Sequence, residues 1–234
     1  MKKSVFIALA LMLALAVPAF AVEGVKVAVG ADSDFIVNRE VSVKDVPGIN
    51  ADISAQRVGV KSDVTLGDML TVTPKVGLTT VQAETAVGAT NIDINSALGW
   101  TVGVDAKADL LKTQYGNLAA IGGYRYSRVD EGSVKIGTNK VDAVLNMHEY
   151  EVGGEVYRNL QDLTNLPVTA SVGMVYSDLR GDLSGAGMGT DIEANDNFGL
   201  RLGLKMEPIK GWEAGVNVKL VDQTAIGGSV SYKF

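Results

Sequence analysis

Every second residue from Ile226 to Phe234 is apolar or glycine, and the residues between them are glycine, serine or lysine. Side chains on an extended chain alternate between two faces, so this stretch is a strand with one greasy face and one wet face. The same alternation recurs through most of the chain. It is cleanest at 198–206, where Phe198, Leu200, Leu202, Leu204 and Met206 interleave with Gly199, Arg201, Gly203 and Lys205. A chain built of such strands must hide one face of each, in a protein core or in hydrocarbon. Short connections and the strand count decide which.

The pattern predicts ten strands: 24–30, 53–64, 70–79, 98–107, 118–127, 148–156, 168–177, 198–206, 212–220 and 224–234. Connections alternate in length. Those at 32–52, 80–96, 129–146 and 178–195 are long, those at 65–68, 109–116, 159–167 and 207–211 are short, and 222–224 is tight. One-sided loop length and an even strand number are the marks of an all-β, antiparallel, up-and-down transmembrane β-barrel. Eight to twelve strands fit the same reading, because 53–64 is ragged and the first long connection, whose Phe35 to Val43 is β-prone and able to extend the hairpin beyond the membrane, has room for another hairpin. Pro74, on the apolar face of the third strand, removes a ladder hydrogen bond and has no evident reason there. A secreted soluble barrel is the rival, with the apolar face turned inward; the cations on the opposite face speak against it.

The N-terminus fits that destination. Lys2 and Lys3 precede an apolar run from Ser4 to Val17, and Ala19-Phe20-Ala21 forms an A-x-A cleavage site. Residues 1–21 therefore read as a cleaved secretory signal and 22–234 as the barrel; the run is too short for a spanning helix, which needs about 20 apolar residues. Loss of Lys2 and Lys3 takes the 21 cations to 19, against 27 anions. An acidic exported chain has no electrostatic case for binding nucleic acid. The absence of cysteine excludes a disulfide scaffold, a thiolate metal site and an N-terminal lipid anchor.

With the apolar face outward, the other face lines a lumen. Its predicted charges are Lys26, Arg57, Lys61, Lys75, Asp105, Lys107, Arg125, Glu149, Glu151, Glu155, Arg201, Lys205, Glu213, Lys219 and Lys233. Charges in a narrow lumen must be paired or wet. Two readings remain open: an ion-pair plug, or a narrow water-filled passage whose cation excess favours anions. Lumen-side glycines leave room for either. Aromatic residues fall at strand ends, Trp100, Tyr126, Tyr150, Tyr176 and Phe198 at one border and Trp212, Tyr232 and Phe234 at the other, as two girdles at the headgroup levels.

The signal, the alternating strands and a last strand ending in Val230, Tyr232 and Phe234 resemble the small bacterial outer-membrane β-barrel proteins, the OmpA-like and opacity-type superfamily. The likeness spans 22–234 as a pattern rather than a motif. It implies residence in the outer membrane of a Gram-negative-type envelope, and a last strand whose Val230, Tyr232 and Phe234 are read by the barrel-assembly machinery. No peptidoglycan-binding domain is expected after the barrel.

Catalytic signals are sparse. Outer-membrane barrel hydrolases are similar in size and address and use a histidine with serine or aspartate. His148, the one histidine, has neither serine nor an aspartate pair beside it, and reads as an interfacial side chain rather than a catalyst. Acidic residues at 178–196 lack the fixed spacing of a calcium loop. The expectation is a non-enzymatic barrel without cofactor, with a structural or surface-contact role at its long loops and the lipid bilayer and an extracellular ligand as partners. A porin-like diffusion channel is the alternative.

Overall fold

The computed structural model describes residues 24–44, 50–87, 90–95, 98–136, 139–185 and 188–234. The signal expected at 1–21, and a mature start at Val22, lie outside the described residues. What is described is one antiparallel sheet closed on itself. Its strands are β1 (Val25–Val43), β2 (Asn50–Leu66), β3 (Leu70–Val87), β4 (Thr90–Asn95), β5 (Gly99–Thr113), β6 (Gly116–Ile136), β7 (Asn139–Asn159), β8 (Val168–Gly185), β9 (Met188–Ala194), β10 (Phe198–Ile209), β11 (Trp212–Leu220) and β12 (Thr224–Lys233). A single helical turn, α1 (Gln161–Thr164), sits in the connection between β7 and β8.

The twelve strands make ten staves. β3 pairs with β4 along one part of its length and with β5 along the other, and β8 pairs likewise with β9 and β10. Each of those couples is one interrupted stave. β12 pairs with β1, from Ala28↔Lys233 to Asn38↔Thr224, and closes the barrel. The ten-strand expectation holds.

The long connections are not loops. Residues 32–43, 50–52, 80–87, 90–95, 129–136, 139–146, 178–185 and 188–194 continue the ladder away from the end that carries Gly24 and Phe234. Apart from the β-prone Phe35 to Val43, they read as loops because polarity inverts at one level of the wall. On β8 the outward residues run Val172, Met174, Tyr176 and then Asp178, Arg180, Asp182, while the inward ones run Ser171, Gly173, Val175, Ser177 and Leu179. Met174 is 69% exposed and Leu179 only 1%. β3 changes outward from Leu78 to Thr80 and inward from Thr79 to Val81. β6 changes from Tyr126 to Arg128 and from Ser127 to Val129; β7 repeats it between His148 and Asn146, and between Glu149 and Met147.

Below this border the wall is apolar outside and mainly polar inside, with Ala119, Ile121 and Val175 as inward apolar exceptions; above it, polar outside and apolar inside. The lower band, from Met206↔Val168 to Phe198↔Tyr176, is nine residues tall on each strand. That matches the roughly 9–11 tilted residues that cross a bilayer. The upper part obeys the rule for a soluble barrel, with water outside and a dry core within.

Stave number changes with polarity. β11 and β12 end at a tight turn over 221–223, level with the border. Beyond it β1 pairs directly with β9, through Val41↔Ala194, Ser42↔Glu193 and Val43↔Ile192. The far part is thus enclosed by eight strands, β1, β2, β3, β4, β6, β7, β8 and β9. Eight strands leave an interior just wide enough for side chains to fill. Ile36, Val41, Ile53, Val81, Val129, Leu145, Met147, Leu179 and Ile192 fill it as one buried cluster.

Candidate functional site

The interior of the ten-stave part is a cup of about 740 Å³, open at the terminal end and roofed by the apolar cluster. Its lining comes from the alternate positions predicted to face inward. Lys26 stands on the rim with Asp68 at 3.1 Å. Deeper in, Lys61 meets Asp63 (2.8 Å), Lys107 meets Glu155 (2.6 Å), and Lys75 lies between Asp105 (2.8 Å) and Asp32 (3.1 Å). Glu151 joins Arg201 (3.2 Å) and Lys219. Near the rim Glu213 lies 3.1 Å from both Lys205 and Lys233, and Lys233 also reaches Glu207.

At the top of the cup the charges are densest. Glu149 accepts from Arg57 at 2.9 Å and from Arg39 at 3.3 Å, and Arg125 stands 4.0 Å away. Asp34 takes Arg125 at 3.0 Å and Arg57 at 3.6 Å. Arg39 is 1% exposed; it also donates to Gln223 at 3.4 Å and to both oxygens of Ser177, at 3.0 and 3.3 Å. Ser177 Oγ donates in turn to Asp222 at 2.5 Å. A multiply bonded guanidinium is the cheapest cation to hold beneath a dry core; here both terminal nitrogens of Arg39 find acceptors, while Nε finds none among the described residues.

All fifteen predicted lumen charges therefore face a partner of opposite sign, and the expected cation excess is corrected. Asp32 and Asp34 belong to the lumen, because β1 runs thirteen residues past its predicted end at Gly30. Arg39 was missed for a further reason. A bulge after Ile36 leaves Val37 and Asn38 both exposed and turns Arg39 inward, on the parity opposite to Asp32 and Asp34. Isolated alternation carries no sign of such a shift. The lumen glycines also do more than leave space. A Cβ on Gly59 or Gly77, which face each other across β2 and β3, would strike the backbone of the opposite strand.

The aromatic residues stand at the two borders of the apolar band. Trp100 packs edge-on against Tyr126 (5.3 Å between centroids), Tyr176 against Phe198 (5.3 Å), and Tyr150 lies 5.0 Å from Tyr124. At the terminal end Trp212, Tyr232 and Phe234 form a row with spacings of 5.4 and 5.1 Å. Val230 is exposed on the same outward face.

His148 also faces outward. Its Nδ1 lies 2.9 Å from the Tyr124 hydroxyl and its ring 4.9 Å from that of Tyr126, with no serine or carboxylate in hydrogen-bond reach among the described residues. The acidic stretch is engaged within β8 and with neighbouring segments. Asp178 accepts from Arg180 (2.9 Å), Asp182 from Asn146 (3.1 Å), and Glu193 meets Lys44 at 2.6 Å. The hydrogen bond from Lys44 holds the Glu193 carboxyl below its ordinary range. Among the described residues no group of three His, Cys, Asp or Glu is arranged to hold a metal.

No protein-family model matches the sequence, and no curated protein matches it. Solved structures resemble it in shape. The translocator domain of autotransporter NalP from Neisseria meningitidis is 12% identical, with 100% of this chain and 97% of that one covered at a TM-score of 0.49. The transport unit of autotransporter AIDA-I from Escherichia coli is 11% identical, with 91% of each chain covered at 0.48. The outer membrane protease OmpT from Escherichia coli is 10% identical, with 90% and 96% covered at 0.45. The assignment itself rests on the wall. A closed antiparallel ladder, a lipid-facing apolar band bordered by aromatic rows and a polar interior make this protein an outer-membrane β-barrel.

Proposed function

We propose that this protein is a non-enzymatic outer-membrane barrel, sealed against diffusion, whose eight-stranded extension stands outside the cell as a contact surface. The short turns, with Gly24 and Phe234, then face the periplasm, as in the OmpA-like and opacity-type proteins that the sequence resembles. One observation carries the reading: the polarity of the wall inverts at the aromatic border. An extension with Asp142, Asp178, Arg180 and Asp182 on its outer surface belongs in water, and a core containing Val41, Val81, Val129 and Leu179, each at most 1% exposed, belongs out of it. The alternative, an anion-favouring channel, is disfavoured by the same core, which offers an ion no partner along the axis.

The test is threefold. Purified protein in a planar bilayer is expected to give no discrete conductance. An impermeant maleimide applied to whole cells is expected to label a cysteine at Asp182 and not one at Lys210. Removing residues 132–143 shortens the β6–β7 hairpin from its Gly132↔Ala143 pair; it is expected to weaken adherence of cells to surfaces or to one another while heat-modifiable mobility persists. Conductance by the wild type overturns the seal, and unchanged adherence overturns the contact role.

A further inference from the structure

The seal is not equally dry all round. β11 and β12 stop at 221–223 while the other staves continue, so the wall steps down there, and β1 and β9 must close above the step. The three segments around the step are all irregular. β1 bulges between Ile36 and Arg39. Residues 195–197 leave the ladder between β9 and β10. Val221 turns at φ +89°, a left-handed conformation that a β-branched residue adopts only under strain.

Side chains fill the opening that these segments leave. Asp222 and Gln223 are each 4% exposed although they belong to a hairpin turn. Asp222 lies against Gly199, where any Cβ would collide with its carboxylate. Ser177 ties the patch together: its amide donates to the Asn197 carbonyl at 2.7 Å, its hydroxyl donates to Asp222, and it accepts from Arg39. Three buried polar atoms at this place, Arg39 Nε, Asp222 Oδ1 and Asn197 Oδ1, have no hydrogen-bond partner among the described residues. Buried polar atoms of that kind are where water enters a fold. On its inner side the patch adjoins the cup, whose lining reaches Asn217 and Lys219 on β11.

We propose that residues 221–223 are a polar stopper in a lateral exit, by which water and small ions would leave the cup beneath the apolar core rather than through it. This rests on the sealed-barrel reading above. The axial route is closed by packed hydrocarbon, which must be dewetted or displaced. The lateral one is closed by two side chains, whose hold on the wall is hydrogen bonds to Ser177 and Arg39 that water can replace.

Planar-bilayer recording of two variants decides the matter, with heat-modifiable mobility as the check on folding. Asp222→Ala combined with Gln223→Ala is expected to show discrete conductance where the wild type has none. Met147→Ala combined with Leu179→Ala, which thins the core, is expected to stay silent. Gln223→Ala alone removes only the long bond to Arg39, and is expected to open for a smaller fraction of the time; it serves if the double variant fails to fold. A silent wild type with silent folded hairpin variants overturns the lateral exit and leaves the seal standing. Conductance in the core variant alone places the exit on the axis and overturns the proposal. A conducting wild type overturns the seal.

Discussion

A charge scan on β8 tests the inversion directly, because one strand carries all four environments. Val172 is the middle of the lipid-facing row, with Val168 and Ala170 on one side and Met174 and Tyr176 on the other. A lysine at the bilayer midplane of a barrel costs about 2–4 kcal/mol. Asp182 lies on the same face beyond the border, where Asp182→Lys loses one exposed hydrogen bond to Asn146 and should stay within about 0.5 kcal/mol. The inner face should answer in the opposite order. Leu179→Asp removes a side chain that is 1% exposed and puts a carboxylate among hydrocarbon; lost packing alone is about 2–5 kcal/mol, with the unpaired charge in addition. Ser171→Asp, in the cup, places the same carboxylate near Arg201 and Lys205 and should cost less than about 1 kcal/mol. Reversible urea unfolding in lipid vesicles, followed by the fluorescence of Trp100 and Trp212, gives all four values. Equal costs for Val172→Lys and Asp182→Lys, or a tolerated Leu179→Asp, would refute the two-level wall.

Two further outcomes follow from the charges. Glu149→Gln withdraws the carboxylate shared by Arg57 and Arg39, so it should cost about 3–5 kcal/mol in the same unfolding assay, near the low end because Asp34 still faces Arg57 and Arg125. Glu151→Gln, whose partners line the open cup, should cost clearly less, and equal losses would contradict the roofed geometry. Glu193 should titrate below an ordinary glutamate, because its charged form gains the Lys44 hydrogen bond. Its contribution to holding β1 on β9 is present at neutral pH and fades as pH falls below about 4, through the lowered folded value. Carbon-detected NMR titration should show the midpoint rise in Lys44→Ala and in high salt; an unchanged midpoint in the variant would count against the bridge.

The half of each stave below the border was legible because one rule, apolar out and polar in, covers most of it, with Ile121 and Val175 among the few inward apolar residues. β10, β11 and β12 never leave that half, and their faces read without error. β2 shows why the rest was not. Its outward residues pass from Val60 and Val58 to Gln56 and Ser54, its inward ones from Arg57 to Ala55 and Ile53, so the alternation reverses within one strand and looks ragged. Beyond such a reversal the segments resemble charged loops, and the strand signal is lost just where the ladder continues. Parity shifts did the remaining damage. The bulge in β1 hid Arg39, and the break at 195–197 separates an inward Ile192 from an inward Arg201, nine residues and the opposite parity apart.

The border also anchors the protein along the membrane normal. Were the barrel to slide by one row toward the end that carries the short turns, Arg128 and Asp178 would enter hydrocarbon; were it to slide by one the other way, Val58, Leu78 and Tyr176 would meet water. Either displacement is penalised at several staves together, so the depth of the leaflet at this border is set by the chain and not by the surrounding lipid. A thinner or thicker membrane must then adjust on the other side, around the short turns that carry Met69, Leu111, Leu163 and Ile209.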